Sequence, residues 1–371
     1  MTEKMLIKSL TIKGFLSIKN LEEFPLNALN VLIGSNGAGK SNFIAYFKML
    51  NELIESRLQY WTSVRGSPDR ILSFGIKNTN ILESIVSFGL YDYIFQLEPA
   101  MDGSFIFTKE NLKFKNSAAR NTIVNFRSGQ KESKLKEQFD KEGEKSFFAS
   151  CYHSISNWKI YHFHDTGDKA LMKWPGAVHD NAYLRHDASN LAAYLYRLAN
   201  ETPETYEKIR QTVQLAIPFF DNFLLKPQTL NTGEELINLQ WQQQNNDYPF
   251  WPSQLSDGSL RFICLATALL QPEPPTTIII DEPELGLHPY AIALLASMLR
   301  SASKKMQVIV STQSVPLVNE FEIEDLIVVE REKGASIFNR LKNKDYKDWL
   351  KEYTVGDLWD KNILGGRPSH D

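Results

Sequence analysis

The sequence predicts an α/β protein whose parallel sheet presents chemistry at the carboxyl ends of its strands, and three observations predict it. Val31-Leu32-Ile33 runs into Gly34-Ser35-Asn36-Gly37-Ala38-Gly39-Lys40-Ser41, which fits G-x-x-x-x-G-K-[ST] at every fixed position. Far away, Thr277-Ile278-Ile279-Ile280 runs into Asp281-Glu282-Pro283. Between them, Leu255-Ser256-Asp257-Gly258-Ser259 opens an apolar helix. Ligands of α/β sheets gather where strands end, which is where the glycine loop and the two acids fall.

In chain order, Met5–Ile12 and Leu26–Ile33 read as strands leading to the glycine loop. A triphosphate needs several backbone N–H groups converging on its oxygens, and glycines let the chain turn tightly enough to present them. The helix that begins near Lys40 points its positive end at the same anion. Gly34, Ser35, Asn36, Gly37, Ala38, Gly39, Lys40, Ser41 and Asn42 are thus the expected ATP contacts, with Lys40 on the β and γ phosphates and Ser41 on Mg²⁺. Phe43, Ile44, Phe47, Leu50, Leu53 and Ile54 continue that helix at apolar spacing. Ile81–Phe88, Tyr93–Leu97 and Ser104–Phe107 read as an antiparallel meander broken by turn residues.

Residues 111–150 turn polar and charge-rich, and Asn190–Gln214 regains helical spacing. From Ile217 the chain returns to the sheet. There Asp281 is the expected Mg²⁺ ligand and Glu282 the base for an attacking water. Val308–Thr312 and Leu326–Val329 supply two more strands. The division this implies is 1–110 as the first half of a head with a β lobe, 111–216 as an inserted, mainly helical lid, and 217–371 as the second half of the head.

The 371 residues, 43% hydrophobic and 23% charged, are ordinary globular material. No run approaches the roughly 18 apolar residues needed to span a bilayer, and no signal pattern precedes the first strand, so a cytoplasmic protein without membrane contact is expected. Cys151 and Cys264 are the only cysteines and read as buried thiols. A net charge of −3 excludes a uniformly basic surface, but Lys109–Lys145 holds ten basic residues against six acidic ones. Lys113, Lys115, Arg120, Arg127, Lys131, Lys134 and Lys136 either face duplex DNA or form a solvated surface. His162 and His164 alternate ahead of Asp165; without a second ligand cluster they read as a polar edge of the lid rather than a metal pair. Trp349–Trp359 is aromatic and charged, with the look of a docking tail.

Taken together, Gly34–Ser41, Leu255–Ser259 and Asp281-Glu282-Pro283-Glu284-Leu285-Gly286-Leu287-His288-Pro289 resemble the ATPase head of the RecF/SMC/Rad50 branch of ABC ATPases. Within that branch the chain is similar to compact RecF-like AAA ATPases related to the ATPase half of OLD nucleases. Ile71–Gly75, Tyr161–Asp165 and Trp359–Pro368 share the likeness without readable chemistry. The resemblance implies an ABC-type P-loop NTPase head and a homodimer in which two heads sandwich two ATP molecules. Ser256 and Gly258 of one head would then cap the γ-phosphate bound to the other. It further implies that Leu285–His288 crosses the dimer interface and that Gln313 stands at a switch position usually held by histidine. Asp257 replaces a common glycine, which would weaken closure. A Mg²⁺-sensing glutamine is also implied, with Gln59, Gln96, Gln130 and Gln138 as candidates.

The gap from Ser41 to Leu255 is too short for the long coiled coils of SMC proteins, so a compact lid is expected. By family likeness the role is DNA repair or anti-phage defence, with any DNA cleavage left to a separate nuclease or other effector. A nucleotide-gated scaffold with little turnover and an ABC transporter subunit are the competing readings.

Overall fold

Two six-stranded sheets organise the computed structural model, which describes residues 5–115 and 121–366. The core sheet runs, edge to edge, Ala335–Arg340, Leu326–Glu332, Leu29–Ile33, Gln307–Thr312, Thr277–Asp281 and Lys159–Tyr161. All its pairings are parallel except that of Ala335–Arg340 with Leu326–Glu332. Leu29–Ile33, Thr277–Ile280 and Gln307–Thr312 are buried throughout, as parallel strands covered on both faces must be.

Side chains alternate between two cores. Val31, Ile33, Ile278, Ile280, Val308 and Val310 pack on one face, while Leu32, Ile279, Ile309 and Ile327 pack on the other. The first face is covered by helices Leu191–Glu201, Pro203–Ala216, Asp257–Leu270 and Pro289–Ser303. The second is covered by the phosphate-loop helix Lys40–Ile54 and by the second sheet. That sheet is antiparallel, in the order Ile18–Pro25, Ser9–Phe15, Leu82–Ser87, Tyr91–Pro99, Phe105–Lys115 and Asn121–Asn125.

The segment 111–216 is not one inserted body. A boundary at residue 110 falls inside the strand Phe105–Lys115, and Asn121–Asn125 pairs with that strand. Helix Phe147–Ser156 contributes Phe148, Cys151 and Ile155 to the lobe-side core. Lys159–Tyr161 enters the core sheet beside the acidic strand, and Leu191–Glu201 and Pro203–Ala216 join the opposite core. The helices thus add to two existing cores, because their apolar faces have no third core to bury in. Residues 217–250 also hold a small antiparallel sheet of Phe220–Leu224, Gln240–Gln243 and Asn246–Phe250. Cys151 and Cys264 are buried free thiols, and no described helix is long and apolar enough to cross a membrane.

Candidate functional site

Register brings the predicted residues together. Thr312 lies opposite Ile33, and Asp281 opposite Ser311, so the phosphate loop, the two acids and Gln313 leave adjacent parallel strands at one edge. The loop is held from behind. Ser336 Oγ donates to Ala38 O at 2.6 Å, and Arg331 Nη1 donates to Gly37 O. A Cβ on Gly39 would stand 1.9 Å from Ser336 Oγ, and its φ of 118° is closed to other residues, so this position admits only glycine. The tail joins in: Ser35 N donates to Gly366 O at 2.9 Å, and Gly366 N donates to Glu330 Oε1. The described part of Trp359–Pro368 therefore braces the loop; Arg367 and Pro368 lie outside the described residues, as does Arg120.

Helix Lys40–Ile54 begins with no side-chain cap, which leaves its first N–H groups as donors for an anion. Lys40 is 6% exposed, and Nζ donates to Gly34 O at 2.7 Å and Ser35 O at 3.1 Å. An ammonium has three protons, so one more remains for a phosphate oxygen. Burial lowers the Lys40 pKa, against the raising effect of Glu282, Asp281 and Glu284. Ser41 is exposed on the first turn. Asn42 also ties the helix start to the lobe, its Nδ2 donating to Ser17 Oγ at 2.6 Å.

Asp281 accepts a hydrogen bond from Ser311 Oγ through Oδ1. With the Ser41 hydroxyl it offers oxygen donors only, a set suited to Mg²⁺. Glu282 has a φ of 41°, a strained conformation for a residue with a side chain, of the kind concentrated at functional sites. Gln313 Nε2 donates to Glu282 Oε1, so the amide fixes the carboxylate's direction. Glu284 is buried; Thr312 Oγ1 donates to its Oε1 at 2.5 Å, while Oε2 has no partner. Burial pushes the Glu284 pKa up.

The signature segment sits on the neighbouring helix. Ser256 caps helix Asp257–Leu270 by accepting from Ser259 N at 3.1 Å, and Ser256 is exposed. Gly258 packs so closely on the following loop that a Cβ would lie 2.1 Å from Gly286 O. Asp257 is 3.6 Å from Lys173 Nζ, so a cation of the same chain offsets part of its charge.

One arginine, not singled out by the sequence reading, joins three pieces of the site. Arg261 Nε donates to Phe163 O at 2.9 Å, Nη2 to His164 O at 3.2 Å, and Nη1 to Leu285 O. The His162–His164 stretch is therefore no lid edge. It leaves the core-sheet strand next to Asp281, and the His164 Nε2–Asp281 O contact is 2.9 Å. Partial burial, followed by His164 and Lys48, lowers the His162 pKa. An S–x–G–x–x–R spacing from Ser256 to Arg261 was the available signal for the arginine. The histidines were visible as an alternating pair, but their place beside Asp281 was not, because the three-residue strand ahead of them has no readable period.

Three of the four glutamine candidates are otherwise engaged. Gln59 bonds Phe105 and Lys131, Gln96 donates to Glu83, and Gln130 donates to Glu110, all in the lobe. Gln138 lies on helix Leu135–Glu142. Five of the ten basic residues of the Lys109–Lys145 stretch are paired at home. Lys115 pairs with Asp92, Lys131 with Asp102, Lys134 and Lys141 with Glu137, and Lys136 with Glu55.

Residues 29–319 match a family model described as "AAA domain, putative AbiEii toxin, Type IV TA system". No curated protein matches the chain. Among solved structures, the SmcHead bound to the C-winged helix domain of ScpA superposes with a TM-score of 0.59 at 14% identity. That match covers 92% of this chain and 99% of the other. The Smc head domain with an extended coiled coil, bound to the C-terminal domain of ScpA derived from Pyrococcus furiosus, gives 0.55 at 14% identity, covering 94% and 99%.

Proposed function

The chain belongs to this AAA domain family, and on that premise we propose that it is an ATPase of the ABC type, on the SMC/Rad50 branch whose heads share its fold, and that it hydrolyses Mg-ATP between two copies of itself. Lys40, the loop amides and the uncapped helix start bind the phosphates. Ser41 and Asp281 hold Mg²⁺, which when bound offsets charge on the β and γ phosphates. Glu282 takes the proton from the attacking water, and Gln313 holds that carboxylate in line. Ser256 of a second copy completes the site over the γ-phosphate. The single observation that carries this reading is the Gln313–Glu282 bond at the edge where the phosphate loop and Asp281 also emerge.

The output of the cycle is opening and closing of a clamp, read by a separate effector. The family description, which pairs an AAA domain with a toxin–antitoxin system, supports defence over repair as the setting. The SmcHead relative is bound to a domain of another protein, ScpA, which supports a protein effector. Duplex DNA has less support, since five lysines of the Lys109–Lys145 stretch are paired within the chain. The gated-scaffold reading rested on Asp257, whose charge Lys173 partly offsets.

The test is steady-state ATP hydrolysis with and without linear duplex DNA, with Glu282→Gln as the blank. Turnover lost in the variant and indifferent to DNA is the expected result. Several-fold stimulation by DNA would restore the basic face as a binding surface. Turnover no higher than the blank would overturn the hydrolytic reading.

A further inference from the structure

Beside the second half of the phosphate-loop helix lies a cavity of about 600 Å³. Its walls are that helix, the edge strand Lys159–Tyr161 and the loop through Tyr183 and His186. The volume falls in the range of small-molecule sites. Lys48 and Lys159 both line it, half-buried, and neither ammonium makes a hydrogen bond or an ion pair among the described residues. Burial lowers the pKa of both lysines, and Asp281 opposes this at Lys48 through space alone. The arginines and carboxylates of the wall are committed: Arg57 pairs with Glu52, Glu55 with Lys136, and Arg185 with Asp180.

Two half-buried ammoniums without a counter-charge are costly, and a bound dianion would offset both. Lysine meets phosphate as a compact point charge, and a phosphate monoester carries a charge of about −1.5 to −2 at neutral pH. The wall also suits what such a phosphate would be attached to. Tyr183 is half exposed, with Lys159 Nζ 4.4 Å from its ring centroid. Trp158 Nε1 and Asn51 Oδ1 are buried without a partner among the described residues, a donor and an acceptor that a polar ring can satisfy. We propose that this cavity is a second ligand site, separate from the ATP site, for a small phosphate monoester of nucleoside-monophosphate size whose phosphate is held by Lys48 and Lys159. The assignment stands whether or not the chain hydrolyses ATP.

The test uses the full-length Lys40→Met variant, which weakens the phosphate loop, with AMP as the probe in calorimetry. One AMP is expected to bind per chain. Adding Lys48→Gln and Lys159→Gln should raise the Kd by about 10- to 100-fold, the worth of one charge-assisted hydrogen bond, with the urea midpoint unchanged. A second measurement needs no lysine exchange at the cavity. Pyridoxal 5′-phosphate condenses its aldehyde with an amine, losing water to form an imine, and borohydride fixes that bond for peptide mass spectrometry. Lys48 or Lys159 should be labelled ahead of the exposed Lys131 and Lys141, and excess AMP should block the label. AMP binding that survives both exchanges, or no AMP binding at all, would overturn the proposal. Label spread evenly over surface lysines, or a Lys48 and Lys159 label indifferent to AMP, would do the same.

Discussion

At Lys40 the ammonium is desolvated and already bonded to two loop carbonyls, so its remaining proton is directed rather than free to sample solvent. Charge-assisted hydrogen bonds contribute about 1.5–3 kcal/mol, so Lys40→Met should raise the Kd for ATP by about 10- to 100-fold in calorimetry. Glu284 gives a pH-dependent prediction. Its pKa is raised above the ordinary 4.5 by burial, and Oε2 has no partner, so the folded state holds the proton more tightly than the unfolded chain. That contribution is fully present below about pH 4.5 and is lost as pH rises through the folded-state pKa. Urea midpoints should therefore show wild type losing ground to Glu284→Gln as pH rises above 4.5. A pH-independent difference would show that the carboxyl is not protonated in the fold. That Lys40, Asp281 and Glu282 would converge at one sheet edge was legible because they stand at fixed motif positions after apolar strands. The Asn42–Ser17 bond was not, since Ser17 lies on a distant turn and nothing in the motif reports a side-chain bond made backwards.

At the scale of elements, Arg261 ties the signature helix to two loops. It bonds Phe163 O and His164 O on the segment after the edge strand, and Leu285 O on the loop after the acidic strand. Movement of the signature helix therefore cannot leave the metal side of the site undisturbed. Arg261→Met keeps much of the stem packing but orphans three carbonyls, at roughly 1–3 kcal/mol for each buried unsatisfied group. A total loss of about 3 kcal/mol in urea unfolding is expected, together with a change in the apparent affinity for Mg-ATP. A variant with unchanged stability and affinity would show that the three bonds carry no coupling. The long apolar strands and the helices after Lys40 and Asp257 were legible from run length and spacing. The strand Lys159–Tyr161 was not: three residues contain too little pattern, and its pairing with Ile278–Ile280 joins segments more than a hundred residues apart. The lid was misread for a related reason. Amphipathic helices announce that they bury a face, but they do not announce which core receives it.

For the whole molecule, the strongest prediction concerns assembly. Ser256 opens the signature helix at the surface, and the loop beside it and the helix that follows expose Leu285 at 48% and Tyr290 at 55%. Gly258 lies in backbone contact with Gly286, so helix start and loop form one continuous face. An exposed helix N-terminus flanked by apolar side chains is suited to meet a bound triphosphate and a second protein surface together. Two copies related by a two-fold axis would each offer that face to the other's phosphate loop, and ATP would be the adhesive. With Glu282→Gln to prevent turnover, Mg-ATP should double the mass seen by light scattering, and removing ATP should reverse it. Adding Ser256→Arg to Glu282→Gln should block the doubling, because a long cation replaces the small cap at the γ-phosphate. It should not reduce ATP binding to the single head, since Ser256 belongs to the other copy's site. A doubling that persists in the double variant would place the interface elsewhere. A chain that binds ATP as a monomer under all conditions would leave Ser256 without a role in trans. The order of motifs made the dimer thinkable from sequence, but only folding shows Ser256, Gly258 and Leu285 on one face, because a helix, a loop and a strand separate Arg261 from Leu285 along the chain.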